Sequence, residues 1–325
     1  QSRSCKNVCG SLHNGRPQTH DDQEPADYQE SDVPDQTGKT VFITGANTGI
    51  GYDTARVLAL RGARVLLGCR DESKANDAIG KIQALKADAE VVWIPLDLAS
   101  LDSIANAASL VGKESKLDAL VNNAGVMTPP KSMTEDGFEL QFGVNHLGHY
   151  ALTGHLLPKL KEQQGARIVN VSSLAHRNGK IDYEDIHAEK RYSRMGRYSM
   201  SKFANILFTY ELQRRLEAVG SSVISVACHP GGSATELGRH IPPLFALLLA
   251  PMSLIMNSSA QGALPTLMAT TDADVSGGDY FGPMKMGEMR HSAQKVDTIG
   301  PAKDKADAAK LWQVSAELTG FEYSI

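Results

Sequence analysis

The chain has 325 residues, 42% of them hydrophobic and 22% charged, with a formal net charge of -4. That is the composition of a globular protein with its own core, long enough for one large domain or two modest ones. The weakly acidic balance, without a long basic run, excludes nucleic acid as an expected partner. No apolar stretch reaches the roughly 20 residues needed to span a bilayer.

Residues 1–36 are rich in Ser, Gln, Asp, Glu, Asn and Pro. Such a segment buries too little apolar surface to offset its ordering entropy, so a disordered tail is expected there. A catalytic domain is expected over 37–325. Of the four cysteines, Cys5 and Cys9 lie in that tail, and Cys69 and Cys228 end apolar runs. No disulfide framework or paired metal-ligand spacing emerges, which favours a reducing compartment.

From residue 39 the pattern becomes periodic. TVFIT (40–44) predicts a strand, a glycine-rich turn follows, and YDTARVLALRG (52–62) has helical spacing ending in glycine. ARVLLGC (63–69), EVVWIPL (90–96), LDALVNN (117–123), ARIVNVS (166–172) and SSVISVAC (221–228) continue the strand series, with helical segments between them. GGDYFGP (277–283) predicts a last short strand. Apolar strands alternating with helices imply one doubly wound α/β domain, a parallel sheet with helices on both faces. Ligands are expected beyond the carboxyl ends of its strands.

The turn after the first strand reads TGANTGIG, residues 44–51. Gly45 permits a tight turn, Gly49 lets backbone approach a pyrophosphate, and Gly51 lets helix and strand pack closely. With Asn47, Thr48 and Ile50 they form a phosphate-binding turn at a helix N-terminus, where free amides and the helix dipole favour anions. The spacing is G-x-x-x-G-x-G, distinct from the common G-x-G-x-x-G fingerprint. The second strand ends in Gly68, Cys69 and Arg70 without a carboxylate for a ribose 2'-hydroxyl. Arg70 suits a 2'-phosphate, so NADP(H) is expected, with NAD(H) as the alternative in which Arg70 is an ordinary helix-flanking charge.

Further along, HLGHYALTGH (146–155) places His146 and His149 at helical spacing but lacks an H-E-x-x-H context, and no metal is expected. RYSMSKFANILF (197–208) predicts a helix whose Phe203, Ile206, Leu207 and Phe208 face a core, while Tyr198 and Lys202 share one face a turn apart. His229 precedes Pro230, which accounts for it without catalysis. IPPLFALLLAPMSLIM (241–256) is too short to span a membrane. A substrate lid around 236–260 is expected from it, a core helix or an interfacial helix being the alternatives.

These motifs together resemble the short-chain dehydrogenase/reductase family. The resemblance rests on TGANTGIG (44–51), Asp97 and Leu98, NNAG (122–125), GVNHLG (143–148), IVNVSS (168–173), YSMSK (198–202) and HPGGSAT (229–235). The long insertion between serine and tyrosine is similar to that of the retinol dehydrogenase branch. The resemblance implies a Rossmann-type NADP(H)-dependent oxidoreductase that moves hydride between nicotinamide and a carbonyl or alcohol. In that reading Asp97 with Leu98, and Asn123, Ala124 and Gly125, line the adenosine side. Asn145 supports a proton relay, Ser173 holds the substrate oxygen, Tyr198 is the acid/base and Lys202 binds the nicotinamide ribose. Ser172 is the rival for the serine role. Pro230, Gly231 and Thr235 flank the nicotinamide. A free tyrosine titrates near about 10, and a neighbouring cation favours its phenolate, which is the chemistry the Tyr198–Lys202 pair provides. The chain departs from the branch in lacking an apolar N-terminal anchor, so a cytoplasmic protein is expected, acting on an apolar, fairly bulky small-molecule carbonyl or alcohol that the resemblance does not fix further. A dinucleotide-binding redox sensor and a carbon–carbon double-bond reductase are the other functions the motifs allow; a homo-oligomer stays open.

Overall fold

The computed structural model describes residues 27–232 and 257–325. β1 (Thr40–Thr44) is buried along its whole length, because both of its faces carry core side chains. It sits inside an eight-stranded sheet with β2 (Arg64–Cys69), β3 (Val91–Pro95), β4 (Ala119–Asn122), β5 (Arg167–Val171), β6 (Ile224–Cys228), β7 (Tyr280–Lys285) and β8 (Arg290–Val296). The strand order is β3-β2-β1-β4-β5-β6-β7-β8. All neighbours are parallel except β7 and β8.

Side chains alternate across each strand. Val41 and Ile43 join Val65, Leu67, Val121 and Val169 on one face, packed by α1 (Gly49–Leu60), α2 (Glu72–Leu85) and α7 (Ser259–Thr271). Phe42, Leu66, Leu120 and Ile168 point to the other, packed by α3 (Leu101–Val111), α5 (Gly148–Lys161) and α6 (Arg194–Ala218). The short α4 (Leu140–Phe142) leads into α5 through a π-helical turn, Gly143–Leu147, in which the Gly148 amide reaches back to the Gly143 carbonyl. α8 (Lys305–Thr319) closes the chain against α6. The chain turns outward from β1 to β2 and β3, then returns to lay β4 on the opposite side of β1. The crevice at this reversal lies beyond the ends of β1 and β4, where such sheets bind ligands.

The structure refines three expectations. The tail does not run to residue 36: Tyr28 and Val33 are 7% and 1% exposed and belong to the core. Glu30 pairs with Arg56 at 2.5 Å, Arg61 donates to the Glu30 and Ser31 carbonyls, and Ser292 Oγ donates to the Tyr28 carbonyl. These contacts strap residues 27–36 across α1 and onto β8. Second, the doubly wound parallel sheet is as expected and gains one edge strand, where the polar segment RHSAQKV returns as antiparallel β8. Third, residues 257–260 of the expected lid lead into α7, with Ser258 capping the helix by accepting from the Gln261 amide. The lid's remaining residues 236–256, and residues 1–26 of the tail, lie outside the described residues.

Candidate active site

The glycine turn bridges β1 and α1. Gly45 and Gly49 have φ of +67° and +59°, in the left-handed region. The Gly45 amide donates to the Gly68 carbonyl at 2.7 Å, locking the turn to β2. Gly51 has no room for a side chain: a Cβ there would collide with Asn123 Nδ2 and the Gly45 carbonyl. Asn123 Nδ2 donates to the Thr44 carbonyl at 2.8 Å, so the loop after β4 is stitched to the turn after β1.

A cavity of about 500 Å³ opens over this junction. Gly45, Asn47, Thr48, Gly49, Ile50 and Gly51 form its floor, and Arg70, Asp97 and Leu98 stand at one end. Asn123, Ala124 and Gly125 flank it, and Tyr198 and Lys202 close the other end. Its lining suits an anionic ligand, with the amides at the α1 N-terminus and the Arg70 guanidinium both facing it. Arg70 Nη1 lies 3.7 Å from Asp97 Oδ2, with its side chain 70% exposed. Met127 and Pro129 from the loop after β4, with Leu140 of α4 and Val144 of the π-helical turn, add an apolar wall that no single sequence period marks.

At the closed end, Ser193 caps α6, and Tyr198 and Lys202 follow on its first turns. They are only 2% and 3% exposed. Lys202 Nζ is 5.8 Å from the centre of the Tyr198 ring and donates to the Val171 carbonyl at 3.1 Å. Ser172 and Ser173 diverge. Ser172 Oγ donates to the Lys202 carbonyl at 2.8 Å, pinning β5 to α6, whereas Ser173 Oγ accepts from the Ala175 amide at the start of a 3-10 turn.

Asn145 sits in the π-helical turn, fully buried. Its Oδ1 accepts from the Val126 amide at 2.8 Å, and its Nδ2 donates to the Val126 carbonyl and to Ser201 Oγ. A Cβ built on Gly125 would stand 3.2 Å from Asn145 Oδ1 and 3.4 Å from Lys202 Nζ, which measures how tightly these residues converge.

Pro230 and Gly231 do not line the cavity's described wall. The Pro230 carbonyl accepts from Asn257 Nδ2 at 3.2 Å, and the Gly231 amide donates to His229 Nδ1. That bond leaves His229 Nε2 as the protonated nitrogen, donating to Glu288 at 3.0 Å. Glu288 also pairs with Arg177 at 2.7 Å. His229 therefore faces the β7–β8 hairpin. Thr235 lies outside the described residues.

His146 and His149 each have protein partners. His146 Nε2 meets Ser315 Oγ at 2.8 Å, and His149 bridges Thr44 and Asn145. Among the described residues no helix is long and apolar enough to cross a membrane.

Residues 39–243 match the family model for short chain dehydrogenases. Mouse retinol dehydrogenase 12 is 44% identical over 289 residues, covering 88% of either chain. Human retinol dehydrogenase 13 is 45% identical over 299 residues, covering 88% of this chain and 86% of that one. Among solved structures, an uncharacterised protein from Mycobacterium paratuberculosis superposes with a TM-score of 0.77 at 40% identity, covering 92% of this chain and all (100%) of the other. The Pseudomonas aeruginosa RhlG/NADP active-site complex gives 0.59 at 25% identity, covering 75% of this chain and 94% of that one. With its mostly parallel sheet, glycine turn and convergent Tyr198 and Lys202, the chain belongs to the short-chain dehydrogenase/reductase family of oxidoreductases and is similar within it to the retinol dehydrogenases.

Proposed function

We propose that the protein is an NADP(H)-dependent oxidoreductase that interconverts an apolar carbonyl compound and its alcohol. The observation that carries this reading is the single cavity with Arg70 at one end and Tyr198 and Lys202 at the other. Bound dinucleotide supplies or accepts the hydride. The α1 N-terminal amides and the glycine turn would hold its pyrophosphate, Asp97, Leu98 and Asn123–Gly125 its adenosine side, and Lys202 its nicotinamide ribose. Pro230, Gly231 and Thr235 would flank the nicotinamide. The likeness to the RhlG/NADP complex supports the cofactor, and the likeness to retinol dehydrogenases supports the alcohol chemistry.

The protein's own part is proton control. In reduction, the carbonyl oxygen takes the Tyr198 hydroxyl proton as hydride reaches its carbon, leaving alcohol and phenolate. Lys202, nearby and cationic, favours that phenolate. Ser173 donates to the substrate oxygen as negative charge grows on it. Asn145 supports the proton relay by fixing Val126 and Ser201 near Lys202, its own amide group being filled by protein partners. Met127, Pro129, Leu140 and Val144 favour an apolar substrate.

The test is a panel of apolar aldehydes, ketones and alcohols, retinoids included, assayed with both cofactors by absorbance of the reduced nicotinamide. NADPH should be preferred, and Arg70→Ala should shrink that preference about tenfold, the worth of one charge-assisted bond. Preference for NADH by the unaltered protein would overturn the cofactor assignment.

The paired serines give a second check. Ser173→Ala should lower kcat about 100-fold with little change in melting temperature. Ser172→Ala should instead cost about 1 kcal/mol of stability through the lost bond to the Lys202 carbonyl. Equal kcat losses in the two variants would remove Ser173 from its role.

A further inference from the structure

Thr44 ends β1 inside the protein, and its hydroxyl oxygen accepts from the Asn123 amide at 3.0 Å and the Ala124 amide at 2.9 Å. With both amides pointing in, the hydroxyl hydrogen must leave in another direction. Its nearest acceptor is His149 Nε2 at 2.9 Å, against 3.5 Å to the Val121 carbonyl. The other ring nitrogen, His149 Nδ1, lies 3.0 Å from the Asn145 carbonyl. A carbonyl only accepts, so Nδ1 carries the proton and Nε2 is the acceptor. Both directions agree on a single neutral tautomer.

We propose that His149 is a positioning residue: a neutral strut, protonated at Nδ1, that ties the Thr44 hydroxyl to the Asn145 carbonyl and so sets the cofactor loop after β4 in register with the turn beside Lys202. The strut crosses from β1 to the π-helical turn, beside the two bonds by which Asn145 holds Val126 in the loop after β4. Its ring is 2% exposed, and burial, aided by the nearby Lys202 charge, holds its pKa down at about 4. The bond pattern therefore persists throughout the neutral range. His149 does not line the cavity, so its effect passes through Thr44 and Asn145 rather than through contact with substrate.

The inference rests on the reading in which Tyr198, Lys202 and Asn145 form the reacting end. It is tested in the full chain with steady-state kinetics on the best substrate of the panel, kcat being expressed per mole of bound NADPH so that unfolded protein is not counted. His149→Phe keeps the ring and removes both bonds. It should lower kcat about tenfold while leaving KM for the carbonyl substrate within about twofold, as expected when one buried bond pair is lost. Thr44→Val should do the same, and the double variant should be no worse than about twofold below either single one, because both cut one connection. Thr44→Ser keeps the hydroxyl and should restore most of the loss.

The proposal is overturned if folded His149→Phe keeps kcat within about twofold of the parent, or if the two losses multiply in the double variant. It is equally overturned if Thr44→Ser falls as far as Thr44→Val. If His149→Phe does not fold, His149→Leu, which also removes both bonds, takes its place in the same comparison. Tyr198→Phe in the same assay separates the two levels: an active Tyr198→Phe enzyme removes the underlying reading, whereas an inactive one beside a fully active His149→Phe removes only the strut.

Discussion

Tyr198→Phe is expected to lower turnover by about 10²- to 10⁴-fold, the range over which positioned general acids and bases act. Tyr198 is 2% exposed on the first turns of α6, and the phenyl ring of the variant occupies the same packing. The helix start is anchored by Ser193, and its later turns by Phe203, Ile206 and Leu207, none of which depends on the Tyr198 hydroxyl. The floor of the cavity is built from the glycine turn and the loop after β4, which are also untouched. NADPH binding, followed by fluorescence titration, should therefore stay close to that of the parent while reduction and oxidation both collapse. Loss in both directions matters, because a residue that gives a proton in one direction must take it in the other. A variant retaining turnover within about tenfold of the parent would place the acid/base elsewhere. A variant that has lost cofactor binding as well would mean that the hydroxyl serves the dinucleotide first.

The parts of this site legible in the sequence are those where chemistry dictates residue type at short range. Gly51 must be glycine because a side chain would strike Asn123 and the Gly45 carbonyl, and such a demand leaves a local mark. Tyr198 and Lys202 are a turn apart on one helix, so their spacing alone places them on one face. Ser172 and Ser173 were separable only by resemblance, since their different partners, the Lys202 carbonyl and the Ala175 amide, appear only after β5 docks on α6.

Features set by long-range packing left no such mark. Strand β8 pairs on one side only and needs no continuous apolar run, so RHSAQKV does not look like a strand. Tyr28 and Val33 anchor a short strap from either side of a single 3-10 turn, too sparsely to create a period. The π-helical turn has no pattern that distinguishes Gly143–Leu147 from ordinary helix, and His149 acquires a role only because that turn brings it to Thr44.

The same buried histidines should make the fold sensitive to mild acid. His146 is 1% exposed, packed among Phe142, Tyr150 and Phe208, and burial lowers its pKa to about 3; His149 is lowered to about 4. Unfolded, each would titrate near about 6.5, so below that pH the unfolded chain binds protons that the folded one refuses. Stability is then complete above about pH 6.5 and falls as the pH drops, by about 1.4 kcal/mol per unit for each histidine until the folded values are reached. At pH 5 the two together would have cost about 4 kcal/mol, a large share of the 5–15 kcal/mol typical of a domain. Asp35, Asp71 and Asp185 are held below the ordinary carboxylate range by hydrogen bonds, so their contributions are lost only at lower pH. Urea unfolding at pH 8, 7, 6 and 5 should show the decline, beginning well above the carboxylate range. His146→Leu preserves an apolar side chain in that aromatic nest and leaves the Ser315 hydroxyl its bond to the Leu311 carbonyl. It should make the decline between about pH 6 and 4.5 shallower by about 1.4 kcal/mol per unit, the share of one histidine, without moving the kcat measured at neutral pH. A stability that stays level from pH 7 to 5 in the parent would mean that the two rings accept protons without leaving the core.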